Sequence, residues 1–211
     1  MHSSGWLLLL LVALALLAFA VFAFLFYKVM SFSFNRMGIP RHFVIPALIA
    51  IPIGSFFNIP IWHSGGTTVA VNVGGAVIPL LISAYLLRKA PLPRTALAVA
   101  VVALVAGLLT EVDTIGIKLH YGFLILPATA VSAALVLTGR KAPQVAFIAG
   151  TLGAVIGVDL VHLPEFFHAG AAYASIGGRG VFDGILTTGI IAALLAGLLW
   201  RKKEPDSEVA G

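Results

Sequence analysis

The chain has 211 residues, of which 60% are hydrophobic and only 10% charged, with a formal net charge of +5. An ordinary soluble domain carries about 25% charged residues, so this composition excludes a water-soluble globular fold. The absence of cysteine excludes a disulfide framework and a thiolate metal site. The basic residues sit in short clusters between apolar runs, which speaks against nucleic-acid binding and assigns them to membrane topology instead.

Seven apolar runs follow one another: Trp6–Lys28, Phe43–Trp62, Thr68–Leu87, Thr95–Val112, Tyr121–Thr138, Ala142–Leu163 and Val181–Trp200. Each approaches the ~20 residues that a helix needs to cross the hydrocarbon core. The first run lacks a basic leader and is too long for a signal-peptide core, so it is expected to be a retained helix. Alternating ten-residue strands, the mark of a membrane barrel, are absent. The expectation is an all-α polytopic transmembrane bundle of about seven helices. A single domain covers residues 1–203, and a short polar cytoplasmic tail covers 204–211.

Basic residues order the topology. Lys28, Arg36 and Arg41 follow helix one; Arg88, Lys89 and Arg94 follow helix three; Arg140 and Lys141 follow helix five; Arg201, Lys202 and Lys203 follow helix seven. These alternate connections lie on one side, which the positive-inside rule makes cytoplasmic. The N-terminus is then outside and the C-terminus inside, in a cytoplasmic (inner) membrane.

Helix two carries Pro46, Pro52 and Pro60, and helix three carries Asn72, Gly74, Gly75 and Pro79. Two readings are open: kinked bundle helices, or broken helices whose freed backbone lines a polar cavity. Gly150, Gly153 and Gly157 fall on roughly one face of helix six, where small residues let a neighbouring helix approach.

The polar residues are unevenly sorted. His63, Glu111, Asp113, His120, Asp159, His162, Glu165, His168 and Asp183 all belong to the extracytoplasmic half, with Asn58 and Asn72 near the same level. Asp159 and Asp183 are the acids most clearly embedded in apolar sequence, and an ionisable group in such a setting reads as functional by default. Asp183 opens its helix, where the positive end of the dipole favours a charge. Asp159 closes its helix, where the negative end disfavours one. Two carboxyls biased in opposite directions form an acid–base pair if they meet. Asn72, Asn58, His63, His162, Glu111, Asp113 and Arg179 are the candidate substrate- or ion-binding residues around them. No cofactor is expected. Asp159 and His162, three residues apart, can contribute to a divalent metal site together with His63, His120 or His168, although no His-Glu-x-x-His motif occurs. The Gly-rich stretch Ser175–Gly180 before helix seven is expected to be a turn or re-entrant loop whose Arg179 can pair with Asp159, Glu165 or Asp183.

Three stretches carry a family resemblance: Val71-Asn72-Val73-Gly74-Gly75-Ala76 with Ile78-Pro79; Gly150-Thr151-Leu152-Gly153 leading to Gly157-Val158-Asp159-Leu160; and Ser175-Ile176-Gly177-Gly178 leading to Phe182-Asp183-Gly184-Ile185. Together they resemble a family of prokaryotic polytopic membrane proteins labelled domain of unknown function 1614. The resemblance implies a bacterial or archaeal membrane protein and draws attention to Asn72, Asp159 and Asp183. In chemistry, Ile156-Gly157-Val158-Asp159 and Phe182-Asp183 resemble degenerate, order-reversed versions of the Gly-x-Gly-Asp and Tyr-Asp motifs of presenilin-like intramembrane aspartyl proteases, with Ile156 and Val158 where glycine stands and Phe182 where tyrosine stands. Leu126-Pro127-Ala128 is a partial echo of that group's Pro-Ala-Leu signature.

Three functions are compatible with this pattern. An intramembrane aspartyl hydrolase would use one Asp to activate water and the other to polarise a membrane peptide's carbonyl. A channel or a proton- or cation-coupled transporter would bind a small ion at the same acids. A non-enzymatic scaffold would use the polar rim for a partner. The oligomeric state is not encoded in these features.

Overall fold

The computed structural model describes residues 3–64, 66–113, 116–119, 122–168, 173–178 and 184–200. Helix α1 spans Ser3–Met37 and does not stop at Lys28, where the first apolar run was expected to end. A single lysine is no helix terminator: Lys28 lays its ammonium 5.2 Å from the Phe24 ring centroid. The apolar face continues through Phe26, Met30, Phe34 and Met37 at helical spacing. The stop comes at Gly38, with φ 74°. Its N–H donates to Asn35 O (3.1 Å) and that of Ile39 to Phe34 O (2.8 Å), the paired bonds of a Schellman cap.

The second and third runs are the main departure from an all-helical expectation. Helix α2 is only Val44–Gly54, with Pro52 inside it. The chain then forms β1 (Asn58–Ser64) and β2 (Thr67–Asn72), an antiparallel pair turned at Gly66 with φ 87°. Gly66 supplies the positive φ that a tight hairpin requires. Thr67, Thr68, Val69 and Val71 are β-branched and favour the pleated surface. Pro60 cannot donate to the ladder, and the register shifts between Pro60 and Trp62. A π-helical turn, Val73–Val77, then leads into α3 (Ile78–Leu87).

The remaining helices are α4 (Leu92–Leu109), α5 (Gly122–Thr138), α6 (Ala142–Ala154), a six-residue α7 (Leu163–His168) and α8 (Gly184–Leu199). A second hairpin, β3 (Thr110–Asp113) with β4 (Gly116–Leu119), joins α4 to α5. A second π-helical turn, Val155–Leu160, extends α6. Strand β5 (Tyr173–Ile176) adds to β2 in parallel, giving the sheet order β1-β2-β5. The Gly-rich loop before α8 therefore begins as a strand.

Among the described residues, three stretches are long and apolar enough to cross a membrane: Trp6–Met37, Leu92–Leu109 and Gly122–Glu165. The last turns at Gly139 (φ 53°) into two packed helices. Arg41–Gly54, Val73–Leu87 and Gly184–Leu199 are shorter apolar helical stretches. The protein is thus a mostly helical membrane protein.

Helix α6 is the central post, buried along its length except at Leu152. Its glycines divide between two neighbours rather than serving one. Gly150 packs against Thr188 and Gly189 of α8, whereas Gly153 and Gly157 pack against Val102, Ala103 and Ala106 of α4. Small residues on two sides of one helix let both partners come close, and van der Waals packing rather than water exclusion then holds them. Residues Trp6–Leu25 of α1 are exposed; this is a surface for lipid.

The bundle has two distinct ends. At the basic end, Gln144 Nε2 donates to Met37 O (2.7 Å) and the Trp200 ring lies beside Gly139. This joins the α1–α2 and α5–α6 connections, carrying Arg41, Arg140 and Lys141, to the end of α8. The opposite end is formed by the sheet and the α4–α5 hairpin.

Candidate functional site

The hairpin end holds a polar node built around Asn72. This side chain is fully buried, a setting in which every polar atom must be paired. Its Oδ1 accepts from Gly75 N–H (2.8 Å), capping the π-helical turn. Its Nδ2 donates to Ser55 O (2.8 Å) and to Asn58 Oδ1 (3.1 Å). Ser175 Oγ donates to the same Asn58 oxygen (3.1 Å). One asparagine therefore ties the broken end of α2, the start of β1 and the turn into α3, and through Asn58 reaches β5.

Glycines make this convergence sterically feasible. A Cβ on Gly74 would run into Ile51 O and Ser55 N of the α2 terminus. Gly177 has φ 69°, and a Cβ there would sit 2.7 Å from Ala76 N. Thus Val71–Ala76 and Ser175–Gly178, separated by about a hundred positions in sequence, pack backbone to backbone.

A second polar group lies where α4 meets the end of α6. His162 is 8% exposed. Its Nε2 lies 3.2 Å from Gly107 O and its Nδ1 3.1 Å from Glu165 Oε1. A carbonyl can only accept, so Nε2 carries a hydrogen. Nδ1 then faces the Glu165 carboxyl one turn away on the same segment. Replacing His162 with alanine would leave Gly107 O without this partner and is expected to cost about 1–3 kcal/mol, measured as a loss of unfolding free energy in detergent.

The other sequence-derived candidates distribute as follows. Asp159 sits half-buried in the second π-helical turn, a backbone irregularity frequent at functional sites. Asp183 and Arg179 lie outside the described residues, as does His120. Asn58 joins the Asn72 node. His63 is exposed, and its Nδ1 is 2.9 Å from Thr68 Oγ1 across the hairpin. Glu111 is on β3, in register with Lys118 of β4, and Asp113 pairs with Gly116 at the hairpin's end. The structure thus brings Asn58 and Asn72 together, joins His162 to Glu165, and leaves His63 on the hairpin surface. Among the described residues, no group of three or more His, Asp or Glu side chains could hold a metal ion. Ser55 and Ser175 are node members that residue type alone did not single out. Ser175 opens the Gly-rich stretch, and Ser55 follows the last helical residue of α2.

Val155 and Val158, which precede Asp159, share one apolar cluster with Ile185, two residues beyond Asp183, and with Ala76, Ile176 and Leu163. The ends of α6 and α8 that flank the two acids therefore meet beneath the sheet.

Apolar helices exposed on their outer faces, packed on a small-residue post and carrying buried polar nodes at one end, define a polytopic helical membrane protein. Residues 52–195, more than half the chain, match the family model described as protein of unknown function DUF1614, and the chain belongs to that family. No curated protein and no solved structure matches it. None of these comparisons supports a likeness to presenilin-like proteases.

Proposed function

We propose that this protein is a channel or a proton- or cation-coupled transporter of a prokaryotic cytoplasmic membrane. Seven membrane segments carry it, with the N-terminus outside and the basic end in the cytoplasm. The observation that carries the reading is the break in the second and third apolar runs around buried Asn72. Non-helical backbone at membrane depth is tolerated where it is packed in protein or lines a polar cavity, and broken helices of this kind build the ion and substrate sites of transporters. Asp159, half-buried in the second π-helical turn, would bind the ion together with Asp183. The exposed Phe56, Phe57, Trp62 and Tyr173 of the hairpin end suit the interface between membrane and water. The positive-inside rule supports the orientation.

The test is reconstitution of the purified chain in liposomes under an imposed pH gradient and, separately, sodium and potassium gradients. Flux above that of protein-free vesicles is expected for one of these ions. Its absence for all three would overturn the reading.

An intramembrane aspartyl hydrolase is the second reading, favoured by the shared apolar cluster that flanks Asp159 and Asp183. It predicts cleavage of a membrane-embedded peptide by the wild-type chain, lost in both Asp159→Asn and Asp183→Asn. Cleavage that survives both substitutions would exclude it.

A further inference from the structure

Helical hydroxyls in this protein follow a consistent habit. Ser55, Thr95, Thr110, Thr129 and Thr138 each donate to the carbonyl four residues back, at 2.6–2.9 Å. This satisfies the hydroxyl locally, as an apolar surrounding demands. Ser33, Ser83 and Thr151 break the habit. All three are 0% exposed, and their oxygens have no hydrogen-bond partner among the described residues. Gln144 Oε1, on a residue 7% exposed, is likewise unpartnered. Its identity as the oxygen is fixed because the amide nitrogen is committed to the Met37 carbonyl.

These four atoms are ordered along the bundle. Gln144 sits at the basic end against Met37. Ser33 lies one turn further in on α1, about 6 Å from Met37 along the helix. Ser83 lies four residues from the basic end of α3, on the buried face shared with Pro79 and Leu86. Thr151 is two turns above Gln144 on α6, about 10 Å along the axis, beside Gly189 of α8. Asn72 stands beyond the other end of α3. The helices involved, α1, α3, α6 and α8, all pack on one another through α6.

We propose that Gln144, Ser33, Ser83 and Thr151 hold a file of bound water molecules inside the bundle. The file runs from the basic end toward the Asn72 node. A buried hydroxyl left unpaired is costly, and interior waters characteristically satisfy such groups. Water accepts and donates, so it can bridge hydroxyls carried by different helices. The file supplies the transport reading with a hydrated route between the outer acids and the opposite side, and its functional meaning rests on that reading.

The chain has no cysteine, so single substitutions give unique thiols. Ser33→Cys, Ser83→Cys and Thr151→Cys in proteoliposomes are exposed to silver ion, and surviving thiol is then counted with a fluorescent maleimide after denaturation. Each is expected to be blocked at least ten-fold faster than Val145→Cys, an equally buried position on α6 with apolar neighbours. If all three react no faster than that control, the water file is overturned. A readout on the unaltered chain does not depend on these variants. X-ray radiolysis generates hydroxyl radicals from bound water and is expected to oxidise Met37 and Phe147, which are fully buried beside Gln144 and Thr151. Their complete protection would also overturn the proposal. Reactive thiols without ion flux would keep the file and remove transport; flux with inert thiols would do the reverse.

Discussion

Replacing Asn72 with alanine is expected to destabilise the protein by about 3 kcal/mol or more, the largest effect of any single polar substitution considered. The side chain makes three hydrogen bonds from a fully buried position. Each is worth about 0.5–1.5 kcal/mol net, and a buried group left unpaired adds about 1–3 kcal/mol. The Gly75 N–H is the critical loss, because Asn72 is the N-cap of that turn. Asn58→Ala is the internal comparison. Asn58 is exposed, water can replace it, and a loss under about 1 kcal/mol is expected. Unfolding of the detergent-solubilised variants by heat or denaturant separates the two. Equal, small losses would mean that Asn72 does not organise the broken helices.

The second large effect is steric. Gly74→Ala would push a methyl group into Ile51 O and Ser55 N. These are backbone atoms that cannot rotate away, so the α2 terminus must shift. Overpacking of this kind costs typically about 1–3 kcal/mol, and the upper part of that range is expected here because rotating the Ser55 side chain, which is also met, leaves both backbone contacts in place. Gly157→Ala meets Ala103 O in the same manner and is expected to separate α6 from α4. Gly184→Ala is the contrast: nothing lies within 4 Å of its added methyl. Alanine there lowers the unfolded chain's freedom and is expected to be neutral or stabilising by about 0.4–1 kcal/mol. Thermal stability of the three variants, measured side by side, checks the ranking.

What the sequence could reveal depended on how far each signal reaches. Apolar length located α4, α5, α8 and, counted with its π-helical extension to Leu160, α6 to within a few residues, because hydrophobic runs bounded by basic clusters need no tertiary information. It misplaced the end of α1, since Lys28 looked like a boundary while the Phe26–Met30–Phe34–Met37 face ran on through it. It also read Ile59–Trp62 and Thr68–Val71 as helix. A short, continuously apolar stretch is as compatible with a buried strand as with a helix, and only β-branching and Gly66 argued for the strand. The pairing of β2 with β5 links residues about a hundred apart, which no local pattern encodes. Asn58 and Asn72 were expected near the same level, and their side chains are joined by a hydrogen bond. The node itself was not legible, because the atoms that Asn72 bonds are mostly backbone: Ser55 O and Gly75 N. The glycines of α6 were recognised as packing positions, but their division between α4 and α8 needed coordinates.

The proposed ion movement depends on Asp159, half-buried in the second π-helical turn. Proton flux into proteoliposomes carrying Asp159→Asn, measured beside the wild-type chain with the unfolding temperature of both, tests it most directly. The expected result is flux in the wild type that falls at least ten-fold in the variant, with the unfolding temperature little changed. Equal flux from the two proteins would contradict the account.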